Sequence, residues 1–236
     1  MLKSLNEEKT LVLGILGGGQ LAKMLAIDAY KMGIEVAIIE NGERSPAGDM
    51  TKFEFTGGWN NPSSLEKFIE ASDIVTLENE FIDPSILEYI AKFNPVFPTP
   101  QTMKLVQDKF TQKTVFKRKR ILVPPFAQID SEEDALLFRE RYGFPFVLKT
   151  RTLGYDGYGN YTVRNAEDIK IAFEKFTVNG QTRPLMAEQF IEFQKELAVM
   201  VARNAHNEIA VYPCVETVQK NHICHIVIAP AEVSKK

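Results

Sequence analysis

Two glycine-rich stretches, with lysines and acids around them, carry the chemistry in this chain. "LKTRTLGYDGYGNYTV", residues 148–163, sets Lys149 at the end of an apolar run and then Gly154, Gly157 and Gly159 in one short hairpin. Glycines so spaced let backbone N–H groups approach an anion, and a lysine at a strand end supplies a point charge for a phosphate. The pattern is not a Walker A loop, which needs G-x-x-x-x-G-K-[ST] opening into a helix. "AEQFIEFQKELAV" then places Glu188 at one strand end and Glu196 at the start of the next. Such a linker offers backbone N–H and C=O to an adenine edge and a carboxylate to ribose hydroxyls. The bland readings are a plain glycine hairpin and two solvated acids. "GILGGGQLAKML", Gly14 to Leu25, reads as a phosphate-binding turn at a helix amino terminus. Taken literally, Gly17, Gly19 and Ala22 also satisfy the G-x-G-x-x-G/A dinucleotide fingerprint, with Glu40 standing where a ribose-binding acid belongs.

These residues need elements to hold them. Apolar runs at 11–16, 35–40, 53–57 and 73–78 alternate with helical patterns at 20–32, 62–70 and 84–93, the last two each opening on proline. On 20–32 the expected apolar stripe is Leu21, Met24, Leu25, Ile27 and Ala29. Alternation of this kind predicts βαβ units and a doubly wound parallel sheet. The proline-punctuated "FNPVFPTPQT" ends the pattern and sets a domain boundary near residue 100, followed by a helical stretch over about 102–118. Beyond it the spacing predicts a capped helix from Ser131 to Arg141, a strand over 144–150 and, from 185 onward, consecutive antiparallel strands. The fold class expected is α/β, with residues 101–236 forming an α+β domain.

Composition excludes some functions. The chain has 236 residues, 44% of them hydrophobic, and a formal net charge of −3. That balance argues against a nucleic-acid partner, which demands a basic surface. No apolar run reaches the length of a membrane span, and the first ten residues lack the apolar core of a signal peptide, so a cytoplasmic protein with no membrane partner is expected. Cys214 and Cys224 are too few for a disulfide framework and read as thiols. "KRKR" (117–120) reads as a solvated helix end, and "HICH" lacks metal-ligand spacing.

Lys109, Lys149, "LGYDGYGN", "EQFIEFQKE" and "AVYPCVETVQKNHICHIVIAPA" together resemble the ATP-grasp core of the N5-carboxyaminoimidazole ribonucleotide synthetase family, the ATP-dependent carboxylase subunit of purine biosynthesis. "GILGGGQLAKML" and "VTLENEF" resemble that family's amino-terminal domain, so the likeness spans the chain. It implies a pre-ATP-grasp domain over 1–100 and an ATP-grasp domain over 101–236, with a lid at about 120–190. It also implies an ATP-dependent carbon–nitrogen ligase: ATP phosphorylates bicarbonate to carboxyphosphate, and 5-aminoimidazole ribonucleotide captures the carboxyl group.

The resemblance assigns roles by position. Lys109 and Lys149 would neutralise the ATP phosphates, and the loop of Gly154, Tyr155, Asp156, Gly157, Tyr158, Gly159 and Asn160 would close over them. Glu188, Gln189, Phe190 and Ile191 would meet adenine, Glu196 the ribose, and Gln219 a phosphate. Lys149, Tyr155 and Asp156 would be catalytic, the last two lying towards the imidazole. Gly18, Gln20 and Leu21 would hold the ribonucleotide's monophosphate, with Glu78 and Tyr155 as further contacts and Glu40 an ordinary strand-end acid. Tyr158 stands where the family usually has Arg or Lys, and Gln219 where many members have His. The family's magnesium-binding carboxylates are expected beyond Lys236, so no metal ligand is assigned and the chain is expected to be truncated, binding nucleotide with little turnover. Mg²⁺, a homodimer and hand-over to a mutase subunit complete what the likeness implies. Another ATP-grasp ligase, a nucleotide-binding module without turnover and an NAD-dependent oxidoreductase are the alternatives.

Overall fold

The computed structural model describes residues 10–154, 159–220 and 223–233. The chain divides into two compact units, Met1–Gln112 and Lys113–Lys236.

The first unit runs β1 (Val12–Leu16), α1 (Gln20–Lys31), β2 (Glu35–Glu40), β3 (Phe53–Thr56), α2 (Pro62–Ala71), β4 (Ile74–Leu77), α3 (Pro84–Ile90) and α4 (Pro100–Gln107). Its four strands are all parallel, in the order β3-β2-β1-β4. Alternation along β1 and β2 sends Val12, Leu16, Ala37 and Ile39 to one apolar cluster with α2 and α3, and Ile15, Val36 and Ile38 to another with α1. This is a doubly wound sheet with helices on both faces. Local chemistry starts the helices: Asn61 accepts from the N–H groups of Ser63 and Ser64, and Asp83 from that of Ser85, each ahead of a proline at the first turn.

On α1 the structure differs from the expected stripe. Leu21 and Met24 are more than 60% exposed, and the buried face is Ala22, Ala26 and Ala29. Small side chains let the helix axis approach β1 and β2 closely, which a leucine face would prevent. The single helix expected over 102–118 is two, because Asp108 accepts from the N–H groups of Phe110 and Thr111 and so starts α5 (Lys109–Arg118) afresh. The division between the units falls inside α5.

The second unit continues with β5 (Phe126–Ile129), α6 (Glu132–Tyr142), β6 (Phe146–Thr150), β7 (Asn160–Val163), α7 (Glu167–Phe176), the short hairpin β8 (Thr177–Val178) and β9 (Gln181–Thr182), and β10 (Leu185–Gln189). Ser131 and Asp134 close a full capping box on α6. Sheet order is β5-β10-β6-β7, antiparallel throughout. Helices α6 and α7 cover one face, burying Phe138, Ile169, Ala172 and Phe176 against Phe146, Leu148, Val163 and Leu185. Helix α7 has no counterpart in the sequence expectations, although Ile169, Ala172 and Phe176 recur at helical spacing.

The remaining strands are β11 (Glu196–Ala198), β12 (Val201–Arg203), β13 (Ile209–Val211), β14 (Val215–Lys220) and β15 (Ile223–Ile228). They form an antiparallel sheet β11-β14-β15 and a separate hairpin β12-β13 rather than one continuous run. No helix among the described residues is long and apolar enough to cross a membrane.

Candidate nucleotide site

The uncovered face of the β6–β7–β10 sheet is the floor of a cavity of about 580 Å³. Period-two alternation builds that floor: Phe146, Leu148 and Thr150 point to the core, while Val147 and Lys149 point into the cavity. Register places Asn160 opposite Lys149, Thr162 opposite Val147, and Glu188 opposite Val147 on the other side. Lys149 and Glu188 are therefore diagonal neighbours on one face, within reach across the strands. The β10–β11 linker supplies the wall, with Gln189, Phe190, Ile191 and Phe193, and Glu196 and Gln219 close one end.

Glu188 is the electrostatic centre. Its side chain is 8% exposed, and its two oxygens face different lysines: Lys113 Nζ of α5 hydrogen-bonds Oε1, and Lys149 Nζ lies 2.6 Å from Oε2. Lys149 thus holds Oε2 as Lys113 holds Oε1, and the buried Oδ1 of Asn160 has no hydrogen-bond partner among the described residues. Burial pushes the Glu188 carboxyl up, and the Lys149 charge, reinforced by the close contacts and charge of Lys113, brings it below the ordinary glutamate range. A carboxyl so depressed contributes stability at neutral pH and loses it as pH falls through its folded-state pKa. Acidification below about pH 4 is accordingly expected to lower the melting temperature of the wild-type chain more steeply than that of Glu188→Gln. Parallel decline of the two melting curves would contradict the assignment.

At the other end Glu196 Oε1 accepts from Thr217 Oγ1 and Gln219 Nε2, both at 2.7 Å. Gln219 thus orients Glu196 with one N–H of its amide, and the second N–H of that group is left for the cavity it lines. No cluster of three metal-ligating side chains occurs among the described residues.

The glycine loop enters and leaves at contact distance. A Cβ on Gly159 would lie 2.7 Å from the Gly154 Cα, and Thr150 N–H donates to the Gly159 carbonyl at 2.9 Å. Gly159 is therefore required by the close approach of the loop's two arms. Tyr155, Asp156, Gly157 and Tyr158, the flap residues expected to face the substrates, lie outside the described residues. Lys109 opens α5 one turn ahead of Lys113 and is not among the residues that line the cavity. Lys113 was not expected from sequence; among the cations of "KFTQKTVFKRKR" only tertiary packing singles it out.

In the first unit the turn after β1 is tied by two carboxylates. Gly18 N–H donates to Glu40 Oε2 and Gly19 N–H to Glu78 Oε2, both at 2.9 Å, and Ala22 N–H reaches Glu78 Oε1. Gly17 takes φ +101°, and a Cβ there would lie 2.6 Å from Glu78 Oε2. Glu40 is thus not an ordinary strand-end acid. Its other oxygen accepts from Asn41 N–H. Gly18 and Glu78, expected to meet the ribonucleotide, spend these groups on the turn itself. The N–H groups of Gln20 and Leu21 have no partner among the described residues and are what the helix terminus offers an anion.

Residues 114–236 match the ATP-grasp domain family, and residues 10–107 match the ribonucleotide synthetase preATP-grasp domain. The chain is 37% identical over 227 residues to a phosphoribosylaminoimidazole carboxylase of Ogataea methanolica, covering 94% of this chain and 41% of that protein. It superposes on the N5-carboxyaminoimidazole synthetase of Staphylococcus aureus in complex with ADP with a TM-score of 0.89 and 30% identity, covering 97% of this chain and 61% of that one. It also superposes on the N5-carboxyaminoimidazole synthase of Aspergillus clavatus bound to ADP and 5-aminoimidazole ribonucleotide, with a TM-score of 0.85 and 32% identity over 95% of this chain and 58% of the other. The chain spans roughly 40% of the length of the first curated relatives it matches. A parallel sheet matching the ribonucleotide synthetase preATP-grasp domain, followed by an antiparallel domain matching the ATP-grasp model over residues 114–236, identifies the chain as a member of the ATP-grasp family.

Proposed function

We propose that the second-unit cavity binds ATP and that the chain carries the nucleotide part of a ligase that carboxylates 5-aminoimidazole ribonucleotide with bicarbonate. The observation that carries the reading is the cavity itself. It has a lysine at a strand end beside a glycine loop, an apolar wall of Val147, Phe190 and Ile191, and Glu196 held in a fixed orientation. Its size suits a nucleotide. Lys149 and the Gly154–Gly159 backbone would meet the phosphates, the 188–191 linker the adenine edge, and Glu196 the ribose hydroxyls. The buried acceptor Asn160 Oδ1 favours a ligand that brings N–H or O–H donors.

In the reaction a bicarbonate oxygen attacks the γ-phosphorus and ADP leaves, giving carboxyphosphate. The exocyclic amine then attacks the carboxyl carbon, phosphate departs and the amine loses a proton. Positioning and charge stabilisation carry such a transfer. Magnesium, when bound, would offset the charge of the phosphates in such a transfer. Tyr155 and Asp156 are the flap residues proposed to face the imidazole. In the first unit the Gln20 side-chain amide, with the N–H groups of Gln20 and Leu21, is proposed to hold the ribonucleotide's phosphate, since Glu40 and Glu78 already fill the neighbouring donors.

Thermal melts of the full chain test both assignments. ATP should raise the melting temperature by several degrees at saturation, and NADH should not. Gln20→Ala should weaken protection by 5-aminoimidazole ribonucleotide while sparing that by ATP. Protection by NADH alone would overturn the ATP assignment, and equal loss of both ligands in Gln20→Ala would overturn the placement of the ribonucleotide.

A further inference from the structure

Glu188 poses an electrostatic problem for any phosphate ligand of Lys149. The lysine is already paired with a carboxylate that is almost fully buried. If Lys149 swings to a phosphate chain, a buried carboxylate held by that lysine alone would be left without a counter-ion, which is costly. The second lysine removes the difficulty. Lys113 binds the other oxygen of the same carboxylate, its side chain is 19% exposed, and it does not line the cavity. It is fixed by α5, an element separate from the sheet that carries Glu188 and Lys149. One carboxylate between two ammonium groups leaves one positive charge in excess, available to an anion.

We infer that Lys113 is a positioning residue of this nucleotide site: it keeps Glu188 neutralised and in place so that Lys149 can leave that carboxylate for the phosphate chain. The inference rests on the ATP reading given above. Lys113 touches no ligand, and its influence on ATP passes through Glu188. Without it, Glu188 and the phosphates compete for one lysine, and the loss falls on ligands with a phosphate chain while sparing the nucleoside.

Titration calorimetry of the full chain with ATP and with adenosine decides the matter. Lys113→Met should raise the ATP Kd about tenfold and leave the adenosine Kd within about threefold of wild type. Adding Glu188→Gln removes the competing charge, so the double variant should bind ATP within about threefold of Glu188→Gln alone. Equal weakening of ATP and adenosine, no weakening of either, or a double variant about tenfold poorer than Glu188→Gln would each overturn the inference. Should Lys113→Met fail to fold, the comparison of the double variant with Glu188→Gln decides by itself, because neither contains the buried carboxylate that Lys113 neutralises. A wild-type chain that binds no ATP would overturn the nucleotide reading first, which is a different result from wild-type binding that Lys113→Met leaves unchanged.

Discussion

Lys149→Met is expected to weaken ATP binding by about 100-fold while leaving adenosine binding near wild type. Methionine keeps the length of the stem and removes only the charge. The stem lies on β6 among Val147, Asn160 and Thr162, so the cavity wall stays in place. Glu188 is not stranded, because Lys113 still holds Oε1. What disappears is the one cavity-lining ammonium group among the described residues, and with it the attraction that distinguishes a triphosphate from a nucleoside in a site of lowered dielectric. The melting temperature without ligand should stay close to wild type, which separates a binding defect from a folding one. Calorimetric titrations with ATP, ADP and adenosine check the expectation. An ATP Kd within threefold of wild type would mean that Lys149 serves Glu188 alone.

Much of the scaffold was legible because local chemistry and tertiary structure agree. Parallel strands buried on both faces must read as apolar runs, and Asn61-Pro62 and Asp83-Pro84 are helix starts whatever packs around them. The lysine and glycines of 148–163 were legible for the same reason, as was the order of Glu188 and Glu196. Other features depend on neighbours far along the chain. On α1 the large apolar residues are the exposed ones, because closeness to the sheet, not hydrophobicity, selects the alanine face. Glu40 and Glu78 both reach the turn after β1 only because the order β3-β2-β1-β4 sets β2 and β4 on either side of β1. No spacing in the sequence encodes that adjacency. Lys113 and Glu188 lie 75 residues apart, and nothing local marks that lysine out among its neighbours on α5. The glycines themselves were legible, but for Gly17 and Gly159 the structure gives reasons of close packing beside any anion they could cradle.

Phe146→Ala is expected to cost about 3–5 kcal/mol of stability in the second unit, the loss typical of truncating a fully buried phenylalanine that leaves a cavity. Phe146 is 0% exposed and its ring lies 5.4 Å from that of Phe138 and stacks 5.8 Å from that of Phe144. The side chain points to α6 and α7, whereas Lys149, three residues along β6, points to the cavity. Stability and ligand chemistry are thus carried by opposite faces of one strand, and the substitution should separate them. Denaturant titration should show a lower midpoint with an unchanged slope. The increment that ATP adds to stability depends only on its concentration and Kd, so folded Phe146→Ala should gain as much from saturating ATP as the wild type does. A stability loss below about 1 kcal/mol would mean that the core closes around the gap, contrary to its close packing. Disappearance of the ATP increment would mean that β6 cannot present Lys149 without the aromatic cluster behind it. That outcome would make the core face part of the binding machinery and contradict the division of labour that the alternation along β6 implies.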